Sequence, residues 1–179
     1  MIITDTSGAS FDKVAMDIVG PLPKTERGNE YILTLQDQLM KFCMGIPLPD
    51  QTSETIAEAF IDRFICVLGA PKAILIDQGR NFLRINEKGC KNFQNTQISH
   101  HRLSSTIEWI IRKVASRFGR VFETICNSQK QWDRWISLAM FNYNTNVHEA
   151  TKRTPYELIF GKIARIPSNE PLAPDDKLQ

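Results

Sequence analysis

The sequence lacks any run of 18 uncharged apolar residues, so nothing in it is long and apolar enough to cross a bilayer as a helix. Its opening, MIITDTSGAS, has neither a basic start nor a long apolar stretch and does not read as a secretory leader. Cysteine is scarce, and Cys43, Cys66, Cys90 and Cys126 form no CxxC pair; they read as buried thiols of a reducing compartment. Histidine is scarcer still, with His100, His101 and His148 at spacings that match no zinc finger, so no structural zinc is expected. Net charge is only +2, too small to imply a polyanionic partner by itself.

What is present is an ordinary globular composition, 42% hydrophobic and 23% charged in 179 residues, enough for one domain with a real core. The charge is unevenly placed. Residues 1–60 hold nine acidic and four basic side chains, a net of −5, whereas residues 98–134 hold seven basic and three acidic, a net of +4. An acidic lobe beside a basic one suits a metal-dependent enzyme acting on nucleic acid, although a solvated helix face explains the basic run equally simply.

Periodicity predicts strands over 11–19, 30–36 and 41–48, joined by short turns as an antiparallel meander, with Pro47 placing the third near a sheet edge. A helix follows, capped by Thr52 with Glu54 in its first turn, carrying Ile56, Ala59, Phe60, Phe64 and Val67 on its apolar stripe, and ended by Gly69 and Pro71. Residues 72–76 form a short buried strand ending at Asp77. Helices are expected within 85–93, over 106–126 and over 131–143, and a last short one opens at Thr154-Pro155 and closes at Gly161. Residues 1–10 read as a linker from an upstream region, 11–166 as the domain, and 167–179 as a tail.

Three carboxylates stand out. Asp17 lies among Ala15, Met16, Ile18 and Val19, where an unpartnered charge costs several kcal/mol, so it needs a metal, a cation or an exposed strand face. Asp77 ends a strand before Gln78-Gly79, a frequent place for chemistry and also an ordinary Asx-turn position. Glu108 sits in an expected helix, where simple exposure is the plainer reading. Together they could bind two divalent cations about 4 Å apart, an arrangement that serves in-line phosphoryl displacement. Trp132, Trp135 and Phe141 could stack on bases, but their helical spacing favours core or oligomer contacts. His148 is expected to order the loop before the last helix.

Four segments carry a resemblance to a known family: Phe11–Pro23 (FDKVAMDIVGPLP), Gly28–Thr34 (GNEYILT), Ile76–Phe82 (IDQGRNF), and the block from Tyr143-Asn144-Thr145 through His148 and Thr151 to Thr154–Gly161 (TPYELIFG). Together they resemble the retroviral-type integrase catalytic core of gypsy-type long-terminal-repeat retrotransposons. The resemblance implies an α/β, RNase H-like mixed five-stranded sheet flanked by helices, and a metal-dependent polynucleotidyl transferase that joins element DNA ends to host DNA. It implies Asp17, Asp77 and Glu108 as catalytic and metal-binding residues, and Mg²⁺ or Mn²⁺ as cofactor. Gln78, Asn81, Arg112, Lys113 and Arg117 are the implied DNA contacts. It further implies DNA and further copies of the chain as partners, no membrane and no small-molecule cofactor, and work in the nucleus with passage through a cytoplasmic particle.

The third carboxylate departs from the pattern. Asp17 and Asp77 are 60 positions apart, as the resemblance implies, but Glu108 follows Asp77 by 31, several short of the family spacing. If His100 is the family histidine, then His101, Arg102, Ser104 and Ser105 replace the usual proline, glutamine, asparagine and glycine, and Trp109 replaces an arginine. Resemblance stops near Cys90 and resumes near Gln129. Two accounts stay open at this level: an altered reading frame or small deletions over roughly 92–126, in an inactive copy or in a faulty gene model, or true divergence with Glu108 displaced by a helical turn. A non-catalytic nucleic-acid-binding or protein-interaction module derived from such a core is the alternative function. Hydrolysis of RNA–DNA hybrids shares the fold without the flanking motifs.

Overall fold

The computed structural model describes residues 8–76 and 130–165 and, as backbone, the strand 97–100. The expected helices within 85–93 and over 106–126, and the tail, lie outside the described residues.

The chain opens with strands β1 (Lys13–Val19), β2 (Tyr31–Asp37) and β3 (Cys43–Leu48), within two residues of the expected limits. They form the predicted antiparallel meander, with Asp17 opposite Thr34 and Thr34 opposite Gly45. Strands β4 (Ala73–Ile76) and β5 (Gln97–His100) extend the sheet on the other side in the order β3-β2-β1-β4-β5, both pairings of β4 being parallel. β1 is therefore central and β3, with Pro47, is an edge strand. Periodicity located four of these strands; Gln97–His100 is too short and too polar to announce itself.

Between β3 and β4 runs a helix, α1 (Ser53–Phe60), which continues through a π-helical turn (Ile61–Ile65) and a final α-turn (Cys66–Leu68). Thr52 caps it as expected, its Oγ1 accepting from the Thr55 N–H at 3.3 Å, and Gly69 ends it at φ 91°. The crossover is what allows β4 to return parallel to β1.

Alternation along the strands sorts the core. Val14, Met16, Leu33, Leu35, Ile46, Leu48, Ile74 and Ile76 face α1 and enclose Ile56, Phe60 and Phe64. The Phe60 and Phe64 rings stack at 5.3 Å, and burying each stabilises the fold by roughly 1.5–3 kcal/mol. Val67 does not join this stripe: it is 67% exposed, and Leu68 packs on the core instead. The i→i+5 bonding of the π turn rotates the last residues off the expected 3.6-residue stripe.

The opposite sheet face receives α2 (Trp132–Thr145), whose Ala139, Met140 and Tyr143 pack with Cys43. Gly45 permits the approach, since a Cβ there would lie 2.8 Å from Ile136 Cγ2. The short α3 (Pro155–Phe160) carries Pro at its first position, the Thr154 cap and a left-handed Gly161, all as expected. His148 orders the preceding loop: its Nδ1 accepts from the Ala150 N–H and its ring packs edge-on to Tyr143. Of the tryptophans, Trp132 packs partly and Trp135 is exposed on α2. Among the cysteines, Cys43 is buried as expected, whereas Cys66 is exposed because it sits past the π turn; Cys90 and Cys126 lie outside the described residues.

Candidate active site on the central strand

Asp17 lies in the second half of β1, half-buried. It faces away from α1, on the side of the sheet shared by Ala15, Thr34, Gln36 and Gly45. An exposed strand face was one of the settings the sequence allowed for this charge. Its Oδ1 accepts from the Ile18 N–H at 2.8 Å, and its backbone carbonyl accepts from the Thr34 hydroxyl at 3.0 Å.

The register between β1 and β4 gives Asp17 its candidacy. Met16 pairs with Ile76, so the residue before Asp17 lies beside the residue before Asp77. Two carboxylates 60 positions apart in sequence thus follow adjacent positions of two neighbouring parallel strands. Asp77, Gln78, Asn81, Glu108, Arg112, Lys113 and Arg117 lie outside the described residues, and among the described residues no group of three His, Cys, Asp or Glu side chains gathers to hold a metal. The donor that is placed fits the implied cofactor: a half-buried carboxylate is a hard oxygen ligand of the kind Mg²⁺ or Mn²⁺ takes.

The segment that leaves β1 after Asp17 is clasped to the start of α2. Asp133 Oδ2 accepts from the Thr25 hydroxyl at 3.0 Å and from Asn29 Nδ2 at 2.7 Å. Trp132 Nε1 donates to the Pro23 carbonyl at 2.7 Å, and Arg134 pairs with Glu26 at 3.1 Å. Thr25 and Asp133 are both buried. The exposed Arg134–Glu26 pair adds little, on the order of 0–1 kcal/mol, so the buried bonds fix the loop. Sequence reading did not find Asp133 or Thr34; each sits in an apolar-rich stretch and its partner is distant.

Two buried groups near α2 are held neutral. Burial pushes the Cys43 thiol from 9.0 up to about 12. The Tyr143 phenol is raised well above its ordinary value by burial and, secondarily, by Cys43, against the opposing hydrogen bond that Gln36 Nε2 donates to its oxygen at 3.0 Å. Neither is poised for acid–base work near neutral pH. Asp50, on the surface before α1, is lowered by the Thr52 N–H and the Thr55 and Thr52 hydroxyls, a cap arrangement rather than a site.

An open apolar cleft of about 320 Å³ lies elsewhere, between β3, the end of α1, α2 and α3, with Met44, Leu68, Met140, Phe141 and Phe160 on its walls. Phe160 is 49% exposed at its mouth.

No protein-family model matches the chain. It is 32% identical over 174 residues to the retrovirus-related Pol polyprotein from transposon 412 of Drosophila melanogaster, covering 94% of this chain and 14% of that polyprotein. It is 28% identical over 158 residues to the gypsy retrotransposon integrase-like protein 1 of Bos taurus, covering 87% of this chain and 31% of that protein. Its fold is similar to the catalytic core domain of HTLV-2 integrase in complex with magnesium, trimeric form, with a TM-score of 0.64, 21% identity, and coverage of 85% of this chain and 98% of that one. A simian T-cell lymphotropic virus intasome in complex with the PP2A regulatory subunit B56 gamma also matches, with a TM-score of 0.64, 17% identity, and coverage of 93% and 63%.

The sheet order and the helix crossover define a mixed α/β domain with the fold of the retroviral integrase catalytic cores. Within that class the chain is similar in sequence to the integrase regions of gypsy-type and Pol transposon proteins. It spans 14% and 31% of the two relatives named.

Proposed function

We propose that the chain is the catalytic core for DNA integration, a polynucleotidyl transferase that joins element DNA ends to host DNA. The observation that carries this reading is the register of β1 on β4, in which Met16 and Ile76, the residues before Asp17 and Asp77, lie side by side. Asp17, Asp77 and Glu108 would hold Mg²⁺ or Mn²⁺, which supplies positive charge and Lewis acidity at the scissile phosphodiester. Asp17 would offer a carboxylate whose Oδ1 is held by the Ile18 N–H. The clasp of Thr25 and Asn29 on Asp133 keeps the segment after β1 in place beside it. Gln78, Asn81, Arg112, Lys113 and Arg117 would contact DNA, the basic three by phosphate neutralisation.

The cofactor and partner readings draw support from solved cores of similar fold, which include magnesium-bound, dimeric and trimeric forms and an intasome. A second copy of this chain is a further partner in this reading, as the dimeric and trimeric forms of the neighbouring cores suggest, and the nucleus is the compartment where joining to host DNA would take place. Sedimentation as a monomer at every concentration would remove the oligomer.

The test is strand transfer by the purified chain on labelled DNA ends with Mg²⁺ or Mn²⁺, against Asp17→Asn and Asp77→Asn. Product above both variants is expected. Product no greater than theirs overturns the enzyme, and DNA binding retained without product leaves a non-catalytic module of the same ancestry.

A further inference from the structure

Thr34 is a buried polar residue on the sheet face it shares with Asp17, Gln36 and Gly45. It stands in the middle of β2 between Leu33 and Leu35 and is only 5% exposed. Valine would serve the strand as well, since it is also β-branched and adds no buried hydroxyl to satisfy. The hydroxyl is spent on one bond, donated to the carbonyl of Asp17 directly opposite, at 3.0 Å. That carbonyl belongs to the peptide group joining Asp17 to Ile18. The other end of the same group is the Ile18 N–H, which donates to Asp17 Oδ1 at 2.8 Å. One peptide group is thus held at its oxygen by Thr34 while its nitrogen holds the Asp17 carboxylate.

We propose that Thr34 is a positioning residue for Asp17, acting through the Asp17–Ile18 peptide group. Two physical effects run along this chain of bonds. The hydroxyl fixes the tilt of the peptide plane, and with it the direction of the Ile18 N–H. A bond donated into the carbonyl also polarises the amide and strengthens its N–H as a donor. Both act on the orientation of the carboxylate, and carboxylate ligands depend on such outer partners for metal affinity. Gly45, on the far side of Thr34 in the sheet, brings no side chain to compete for the hydroxyl.

The proposal rests on Asp17 being a metal ligand, and its test separates the two ideas. Thr34→Val and Thr34→Ser are made in the full chain, with Asp17→Asn as a baseline. Three quantities are read: the NMR shift of the Ile18 amide proton, the Mn²⁺ dissociation constant by electron paramagnetic resonance, and the melting temperature. Thr34→Val is expected to move the Ile18 amide upfield by more than any other β1 amide. It should weaken Mn²⁺ binding on the order of tenfold, the usual scale for losing an outer-shell partner. Thr34→Ser, which keeps the hydroxyl, should restore both even if it melts lower. An unmoved Ile18 amide in Thr34→Val, wild-type Mn²⁺ affinity in that variant, or a Thr34→Ser variant as impaired as Thr34→Val overturns the proposal. If the wild-type chain binds no more Mn²⁺ than Asp17→Asn, the metal reading fails, and the Ile18 amide alone decides whether Thr34 holds the peptide.

Discussion

Asn144 and Cys43 hold each other twice: Asn144 Oδ1 accepts from the Cys43 N–H and Asn144 Nδ2 donates to the Cys43 carbonyl, both at 2.8 Å. Cys43 opens the edge strand β3 and Asn144 is near the end of α2. The carboxamide therefore does for β3 what a neighbouring strand would do, supplying one acceptor and one donor to a single residue's backbone. It fastens the helix to the sheet and covers part of an edge that could recruit another chain.

Asn144→Leu removes both bonds and strands a buried N–H and C=O. A loss of about 2–4 kcal/mol is expected, combining two lost bonds with the desolvation of their partners. Urea unfolding checks it through the midpoint at unchanged slope. A midpoint at the wild-type value would mean that water replaces the carboxamide at no cost.

Thr25 and Asp133 are expected to be coupled across the 108 positions that separate them. Thr25→Val, Asp133→Ala and the double variant should give an interaction energy of about 0.5–3 kcal/mol in a double-mutant cycle. Additive losses would show that Asn29 alone holds Asp133.

Gly45→Ala places a methyl group 2.8 Å from Ile136 Cγ2 and 3.3 Å from Met140 Cγ. The Ile136 side chain or α2 itself must give way, at a cost of about 1–3 kcal/mol. Denaturant unfolding reads the loss; a variant as stable as wild type would show that α2 slides over β3 freely.

Cys43 bears on pH dependence. Its thiol is raised from 9.0 to about 12 in the folded chain, so the unfolded chain releases this proton first as pH rises. The stabilisation is full below about 9 and is lost as pH climbs towards about 12. Cys43→Ala should flatten that alkaline loss in melts taken between pH 8 and 11. At pH 8, peptide mapping after maleimide treatment should find Cys66 modified and Cys43 intact until denaturant is added. Equal labelling of the two in native buffer would contradict the burial of Cys43.

The local grammar of the fold was readable in the chain. The three-stranded meander, the Thr52 cap, the Gly69 stop, the Thr154-Pro155 start and the Gly161 end each depend on residues within a few positions of one another. Val67 shows where that grammar fails, because a π turn changes the helical phase without any breaker residue to mark it. Asp17 was conspicuous for the same local reason, a charge inside an apolar strand.

Among the described residues, sequence alone settled four of the five strands and the helices that follow β3 and open at Trp132 and Pro155, because caps, turns and periodicity act over neighbouring residues. Tertiary structure decided the rest: that β4 lies beside β1 in the register Met16 to Ile76, that Thr34 reaches the carbonyl of Asp17, and that α2 fastens to Thr25 and Cys43. Those pairings join positions between 17 and 108 residues apart, and no local signal selects one distant partner over another until the hydrophobic faces have closed on each other.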